Sequence, residues 1–408
     1  MRRATTIPGL LAVVLVTAVL VSAAPARAAF LSTNGLIAFR SDRSGTPDVL
    51  TMDAAGAGVA DLTSSKTAAD LDPAWAPDGQ HLAFARTVRE GGKPDLYVVN
   101  ASGGSRERLT RTSVAERDPA WSPGGTRLAF AARTSLGGPF RIFVMRADGT
   151  ARTQLTTQGD GDVDAAPVWS PDGTQIAFTS DRDGGLPELY VMNADGSGER
   201  RLTTNALVDG NPTWSPDGTR IAVERCCAEG AFEIYAIDLL TLAETNLTLT
   251  PGTHELDPAW SPDGAQIAYV GVPAGGGNVD VYVMSADGTA QTQLTNQPQP
   301  DLSPAWQPLP VCTITGTDAA DVLVGTEGDD VICALDGRDT VDAGAGNDLV
   351  LGGPAADVLD GQDGDDLVYG ESGADTLRGG PGYDGLDGGP GPDSCAAGAE
   401  GAFTRQCE

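Results

Sequence analysis

Apolar positions in this chain come in short bursts, not in long stripes. Runs such as Ile176-Ala177-Phe178 and Ile267-Ala268-Tyr269 follow turns of the kind Pro77-Asp78-Gly79 and Pro171-Asp172-Gly173. Alternation over so few residues, bounded by Gly, Pro and Asp, predicts short β-strands. A second strand comes next (Asp95 to Val99, Glu188 to Met192, Asp280 to Met284) and ends in a turn such as Ala194-Asp195-Gly196. Each unit closes on Leu-Thr, as at Leu155-Thr156 and Leu294-Thr295.

All six tryptophans stand in one recurring phrase: Trp75, Trp121, Trp169, Trp214, Trp260 and Trp306 are 46, 48, 45, 46 and 46 residues apart. A proline lies two residues before each: Pro73, Pro119, Pro167, Pro212, Pro258 and Pro304. Four short strands per roughly 45 residues is the pattern of a propeller blade. One blade cannot bury both faces of its sheet, so blades stack around an axis. The ends of the array give their number. The first unit, from Asn34, enters at its second strand (Ile37-Ala38-Phe39), and the last stops after Pro304-Ala305-Trp306. Pairing those two strands closes six blades and removes the sheet edges. From Asn34 to Trp306 the array resembles the propeller of the TolB family. The resemblance implies a protein-binding role and carries no partner motif over residue by residue. Similar blades also accompany the catalytic domains of prolyl-oligopeptidase-type peptidases, and no segment of that size follows here.

After Gln307-Pro308-Leu309-Pro310 the period changes to nine. Nine nonapeptides run from Gly316 to Ala396, with Asp at position six throughout: Asp321, Asp330, Asp339, Asp348, Asp357, Asp366, Asp375, Asp384 and Asp393. Position eight is apolar in eight of them, from Leu323 to Leu386, and Cys395 in the ninth. The fullest copies, 379–384 and 388–393, read Gly-Gly-Pro-Gly-x-Asp. This resembles the RTX, or haemolysin-type, calcium-binding repeat. The residues themselves give the same reading. Glycine-rich turns aim backbone carbonyls between coils, each Asp adds charge, and the shell is all oxygen, as Ca²⁺ prefers. Two nonapeptides make one coil of a parallel roll. The repeats hold 19 acids against Arg338 and Arg378, so the segment is expected to fold only as calcium binds. Ala319 and Ala355 at position four, and Ala334 and Ala343 at position one, mark turns where a site is expected to be weak or empty.

Charge supports this. The chain carries −30, which repels nucleic acid and anionic lipid and favours divalent cations. The first 28 residues read as an export segment, with Arg2 and Arg3, an apolar run from Leu10 to Ala24, and a small-x-small site at Ala26-Arg27-Ala28. Fifteen apolar residues fall short of the roughly 20 a membrane span needs. The expected layout is an export segment (1–28), an all-β six-bladed propeller (32–306), a linker (307–311) and a roll (312–408). The alanine-rich, arginine-over-lysine usage suggests a bacterial source.

Five residues before each tryptophan stands a carboxylate: Asp70, Glu116, Asp164, Asp209, Glu255 and Asp301. With the tryptophan strand innermost, these six are expected to ring one mouth of the central channel. They would either hold a cation or basic partner, or cap their own loops. Asp72, Asp118 and Asp257 would thicken the ring. Cys395 and Cys407 flank the end of the roll, and Cys312 and Cys333 lie 21 residues apart, close to one coil, so both pairs are disulfide candidates. Cys226-Cys227 falls in a strand-connecting loop. His81 reads as an exposed strand residue and His254 as a loop residue, and neither belongs to a catalytic or zinc motif. The expectation is a secreted, non-enzymatic protein that binds Ca²⁺ in its roll and a protein, peptide or glycan on its propeller. The rival is a propeller lyase or glycoside hydrolase using channel-mouth carboxylates.

Overall fold

The computed structural model describes residues 32–88, 92–157, 162–226, 230–398 and 401–407; the expected export segment lies outside them. Every strand between Ser32 and Pro310 belongs to one of six four-stranded antiparallel sheets. The second blade shows the plan, running Ala69–Trp75, His81–Thr87, Asp95–Asn100 and Arg106–Arg108 from the axis outward. The seam lies in the first blade, where Ser32–Ser41 pairs antiparallel with Asp301–Pro310 and Ile37 faces Trp306. Gln307 to Pro310, read from sequence as a linker, is instead the end of that closing strand: Pro308, Leu309 and Pro310 pair with Asn34, Thr33 and Ser32. Gln307 reinforces it by accepting the Leu36 N–H at 2.9 Å and donating to the Gly79 carbonyl at 2.6 Å.

Each tryptophan strand carries an irregularity. Its register slips between residues such as Leu71 and Ala74, or Arg117 and Ala120. The residue three before the tryptophan has positive φ in all six blades: Asp72, Asp118, Ala166, Asn211, Asp257 and Ser303, at 43–54°. Proline follows it and has no N–H for the ladder, so the strand bulges there.

The nonapeptides form a two-sheeted parallel roll in which each strand pairs with the one 18 residues on, as Ile332 does with Val350. Position eight points inward from both sheets: Ile332, Val341, Val350, Leu359, Val368, Leu377 and Leu386 make one buried cluster between them. Disulfides Cys312–Cys333 and Cys395–Cys407 brace its two ends. No helix among the described residues is long and apolar enough to cross a membrane.

Candidate metal sites in the roll and the propeller channel

The roll aspartates are buried, although they are carboxylates in a strongly acidic segment. From Asp330 to Asp393 all eight are at most 6% exposed. From Asp339 onward, Oδ1 accepts the backbone N–H of the aspartate 18 residues earlier: Asp357 takes Asp339 N–H at 2.8 Å, Asp366 takes Asp348 N–H at 2.9 Å and Asp393 takes Asp375 N–H at 2.9 Å. The coils are thus stitched by one oxygen of each carboxylate. The other oxygen, Oδ2, finds no hydrogen-bond partner among the described residues in Asp339, Asp348, Asp357, Asp366, Asp375 and Asp393.

The free oxygens of Asp357, Asp366 and Asp375 meet carbonyls across the turn. A Cβ placed on Gly361 would lie 2.5 Å from Asp366 Oδ2 and 2.7 Å from the Gly379 carbonyl. One on Gly370 would lie 2.7 Å from both Asp375 Oδ2 and the Gly388 carbonyl, and one on Gly352 would lie 3.0 Å from Asp357 Oδ2 and the Gly370 carbonyl. Glycine at position one keeps open a small hollow lined by a carboxylate of one repeat and a carbonyl two repeats later. No three carboxylate, histidine or cysteine side chains converge on one point among the described residues. Backbone carbonyls must therefore complete any ion's shell, and an all-oxygen donor set with one or two charges suits calcium.

Burial makes the orphaned charge costly. It pushes Asp366 up to about 9, Asp348 to about 7 and Asp357 to about 6, with neighbouring aspartates adding to the rise and the backbone N–H bond opposing it. A cation seated among them removes that cost. The first two repeats differ. Asp321 and Asp330 turn Oδ2 onto the N–H and hydroxyl of Thr317 and Thr326 at 2.6–2.8 Å. Threonine at position two does locally what an ion would otherwise do. Thr317 and Thr326 at position two are the sequence signal that sets these two repeats apart.

In the propeller the six acids expected at the channel mouth are elsewhere. Asp70, Glu116, Asp164, Asp209, Glu255 and Asp301 are buried to within 1% and do not line the axial cavity. Five are held by arginines: Asp70 by Arg86 at 3.5 Å, Glu116 by Arg152, Asp164 by Arg182 at 2.9 Å, Asp209 by Arg225 at 2.9 Å and Asp301 by Arg43 at 2.8 Å. Glu255 faces Gly271 instead. Burial, then the Glu233 carboxylate, pushes it up to about 8. The bulge explains the error: a left-handed residue two positions on breaks the two-residue alternation that would have put both acids on one side.

The cavity on the axis, about 340 Å³, is lined by the bulge residues themselves, including Asp72, Asp118, Asn211, Asp257 and Ser303. Their carboxylates tie neighbouring blades together. Asp118 accepts the Ala166 N–H at 3.1 Å, Asp257 the Ser303 N–H at 3.2 Å, and Glu224 the Asp257 N–H at 2.9 Å. Burial pushes Asp72 and Glu224 up to about 7, with the Asp118 carboxylate adding to the first rise and that of Asp257 to the second. Sequence reasoning missed Glu224.

The histidines and the odd cysteine also depart from expectation. His81 is buried, its Nδ1 2.8 Å from Asp78 Oδ2, because the roll covers it. His254 lies within the strand Thr253–Trp260 and accepts the Phe232 N–H at 3.2 Å. Cys226 ends the strand Arg220–Cys226 and is not in a loop; Cys227 lies outside the described residues.

Comparison with known families settles the first of the two repeat systems. The TolB beta propeller domain matches residues 69–309, more than half of the chain. The chain belongs to the TolB β-propeller family. The RTX calcium-binding nonapeptide repeat matches residues 315–350 and 351–386. Among solved structures, TolB from Acinetobacter baumannii is 26% identical with a TM-score of 0.58, covering 67% of this chain and 66% of that one. This chain therefore spans just under two thirds of that relative. Hydrazine synthase of Kuenenia stuttgartiensis (15% identity, TM-score 0.57, 68% of this chain and 47% of that one) shares the fold. So does a chain of a nidogen/laminin complex (13%, 0.53, 68% and 99%). No curated protein matches. This TolB-family chain is thus a propeller scaffold carrying calcium-binding repeats.

Proposed function

We propose that this protein is exported and non-enzymatic, that its roll orders as it binds several calcium ions, and that its propeller is the platform for a protein, peptide or glycan. The observation that carries the calcium reading is the row of buried carboxylate oxygens, which at Asp357, Asp366 and Asp375 face a carbonyl across a glycine. Asp339, Asp348, Asp357, Asp366, Asp375 and Asp393, with the turn carbonyls of Gly370, Gly379 and Gly388, would hold the ions. A bound ion would supply the positive charge that the segment's single pair of arginines does not.

Two disulfides support the export reading, because such bonds persist in oxidising compartments. The non-enzymatic reading draws support from the state of the acids that a hydrolase or lyase would need. Five of the six candidates are committed to arginines and are shut off from solvent, leaving them no free role as acid or base.

Calorimetric titration of the chelator-stripped full chain with calcium tests the reading, with far-ultraviolet circular dichroism recorded alongside. Saturable heat and a gain of β signal are expected. A roll that is equally ordered in chelator, with no heat of binding, rejects it.

A further inference from the structure

The two strand columns of the roll are not equivalent. In the second, fourth and sixth repeats, positions seven and nine are Val331 and Cys333, Leu349 and Leu351, and Leu367 and Tyr369; all are buried except partly buried Leu351. In the odd repeats those positions face solvent: Val322 is 78% exposed, and Thr340 and Asp342 are also exposed. Since position eight already fills the roll's interior, positions seven and nine point outward. The even column is buried because it lies against the propeller. Val331, Leu349, Leu367, Tyr369 and Phe403 form one apolar cluster with Leu128, Phe130 and other residues of blades two and three.

Polar anchors surround that contact. The Tyr369 hydroxyl donates to Asp78 at 2.5 Å, and its ring stacks on His81. Arg127 lies 3.7 Å from Asp365, the Arg146 guanidinium 3.7 Å from the centre of the Tyr383 ring, and Arg405 bonds Glu107 at 3.0 Å. Close packing at Gly125 leaves no room for a Cβ, which would fall 2.5 Å from Leu367. Most of these roll groups belong to the turns and strands of the even repeats. Asp365 precedes Asp366, Tyr383 precedes Asp384, and Tyr369 ends the strand Leu367–Tyr369 that follows Asp366.

We propose that the propeller is the template on which the roll folds, so that docking on blades two and three sets the roll's response to calcium and calcium in turn clamps the roll to those blades. This rests on the calcium reading above. Both events require the same ordered coils, so each must favour the other by the same factor. Template contacts come from the propeller side, which offers a test that leaves the repeats themselves untouched.

The experiment follows roll ordering against free calcium in the full chain, by circular dichroism and by hydrogen exchange of peptides from 312 to 407. Three proteins are compared: the natural sequence, Arg127→Ser with Arg146→Ser, and a charge-matched control, Arg111→Ser with Arg200→Ser, at exposed positions outside that apolar cluster. Tryptophan fluorescence confirms an intact propeller in each. The docking pair is expected to move the calcium midpoint up about fivefold, in the range of ordinary site-to-site coupling, with the control unchanged. Calcium is also expected to slow exchange at propeller turns 76–82 and 122–127 in the natural chain. A calcium-responsive roll whose midpoint is the same in all three proteins overturns the coupling and leaves calcium binding standing. A natural chain with no calcium response overturns both.

Discussion

At the scale of single residues, the propeller repeats one solution five times and departs from it once. A carboxylate five residues before the tryptophan is buried and neutralised by an arginine in five blades, whereas Glu255 has no such partner among the described residues. The unfolded chain gives up this proton near 4.5, and the folded protein keeps it up to about 8. A raised carboxyl pKa means stability falls as pH climbs through that window and levels off above it. Glu255→Gln should therefore raise the melting temperature at pH 8.5 by about 3 °C or more, the shift that roughly 1 kcal/mol produces in a domain of this size. The gain should vanish near pH 4.5, and thermal melts at the two pH values check this. In the roll, Asp366→Asn removes one of the proposed liganding charges and should weaken the calcium midpoint by about tenfold. Asp321→Asn, whose carboxylate is already served by Thr317, should change it less than twofold, by calorimetry. The identities of these acids were plain in the sequence, but the direction they face was not. Which of the carboxylates five and three positions before tryptophan reaches the axis depends on a bulge, and a two-residue alternation carried across it gives the wrong answer.

At the scale of elements, the strands and their order could be read almost entirely from punctuation: Pro-Asp-Gly turns, tryptophans about 46 residues apart and aspartates nine apart. Three things escaped. The Gln307–Pro310 segment looked like a linker because two of its four residues are prolines, yet prolines suit a strand whose partner ladder is already irregular, as it is between Asn34 and Ile37. From the second to the seventh nonapeptide, positions seven and nine are apolar in the even repeats and mostly polar in the odd ones, an 18-residue alternation that marks one sheet of the roll as a contact face. Counting only the nine-residue period averages it away. The threonines at position two of the first two repeats likewise mark turns closed without an ion. The disulfides were legible from spacing, since one coil separates Cys312 from Cys333 closely enough for a bridge. Cys312→Ser with Cys333→Ser should cost the calcium-loaded roll about 3 kcal/mol, the chain-entropy value for a loop of this length, measurable by denaturant titration in saturating calcium.

At the scale of the whole molecule, the propeller and roll share one apolar core across their boundary, so neither behaves as a free module. A fragment ending at Pro310 keeps the seam strand and should hold its six-bladed fold by circular dichroism. It should also expose the surface that Leu367 and Tyr369 cover, and bind more hydrophobic dye than the full chain in calcium. Equal dye binding would mean that the contact contributes little. Docking was not legible because it depends on which turns of blades two and three meet which coils, and local periodicity does not encode that.

The seam of the ring has a consequence in time. Ile37 and Trp306 face each other although most of the propeller's sequence lies between them. Blades two to six are assembled from neighbours in the chain and can form one after another as a polypeptide emerges from a pore or a ribosome. The first blade has to wait for Asp301–Pro310, since closing so long a loop is the slowest and entropically dearest contact in the ring. The acidic coils come out immediately behind it, and they meet a template that has only just been completed.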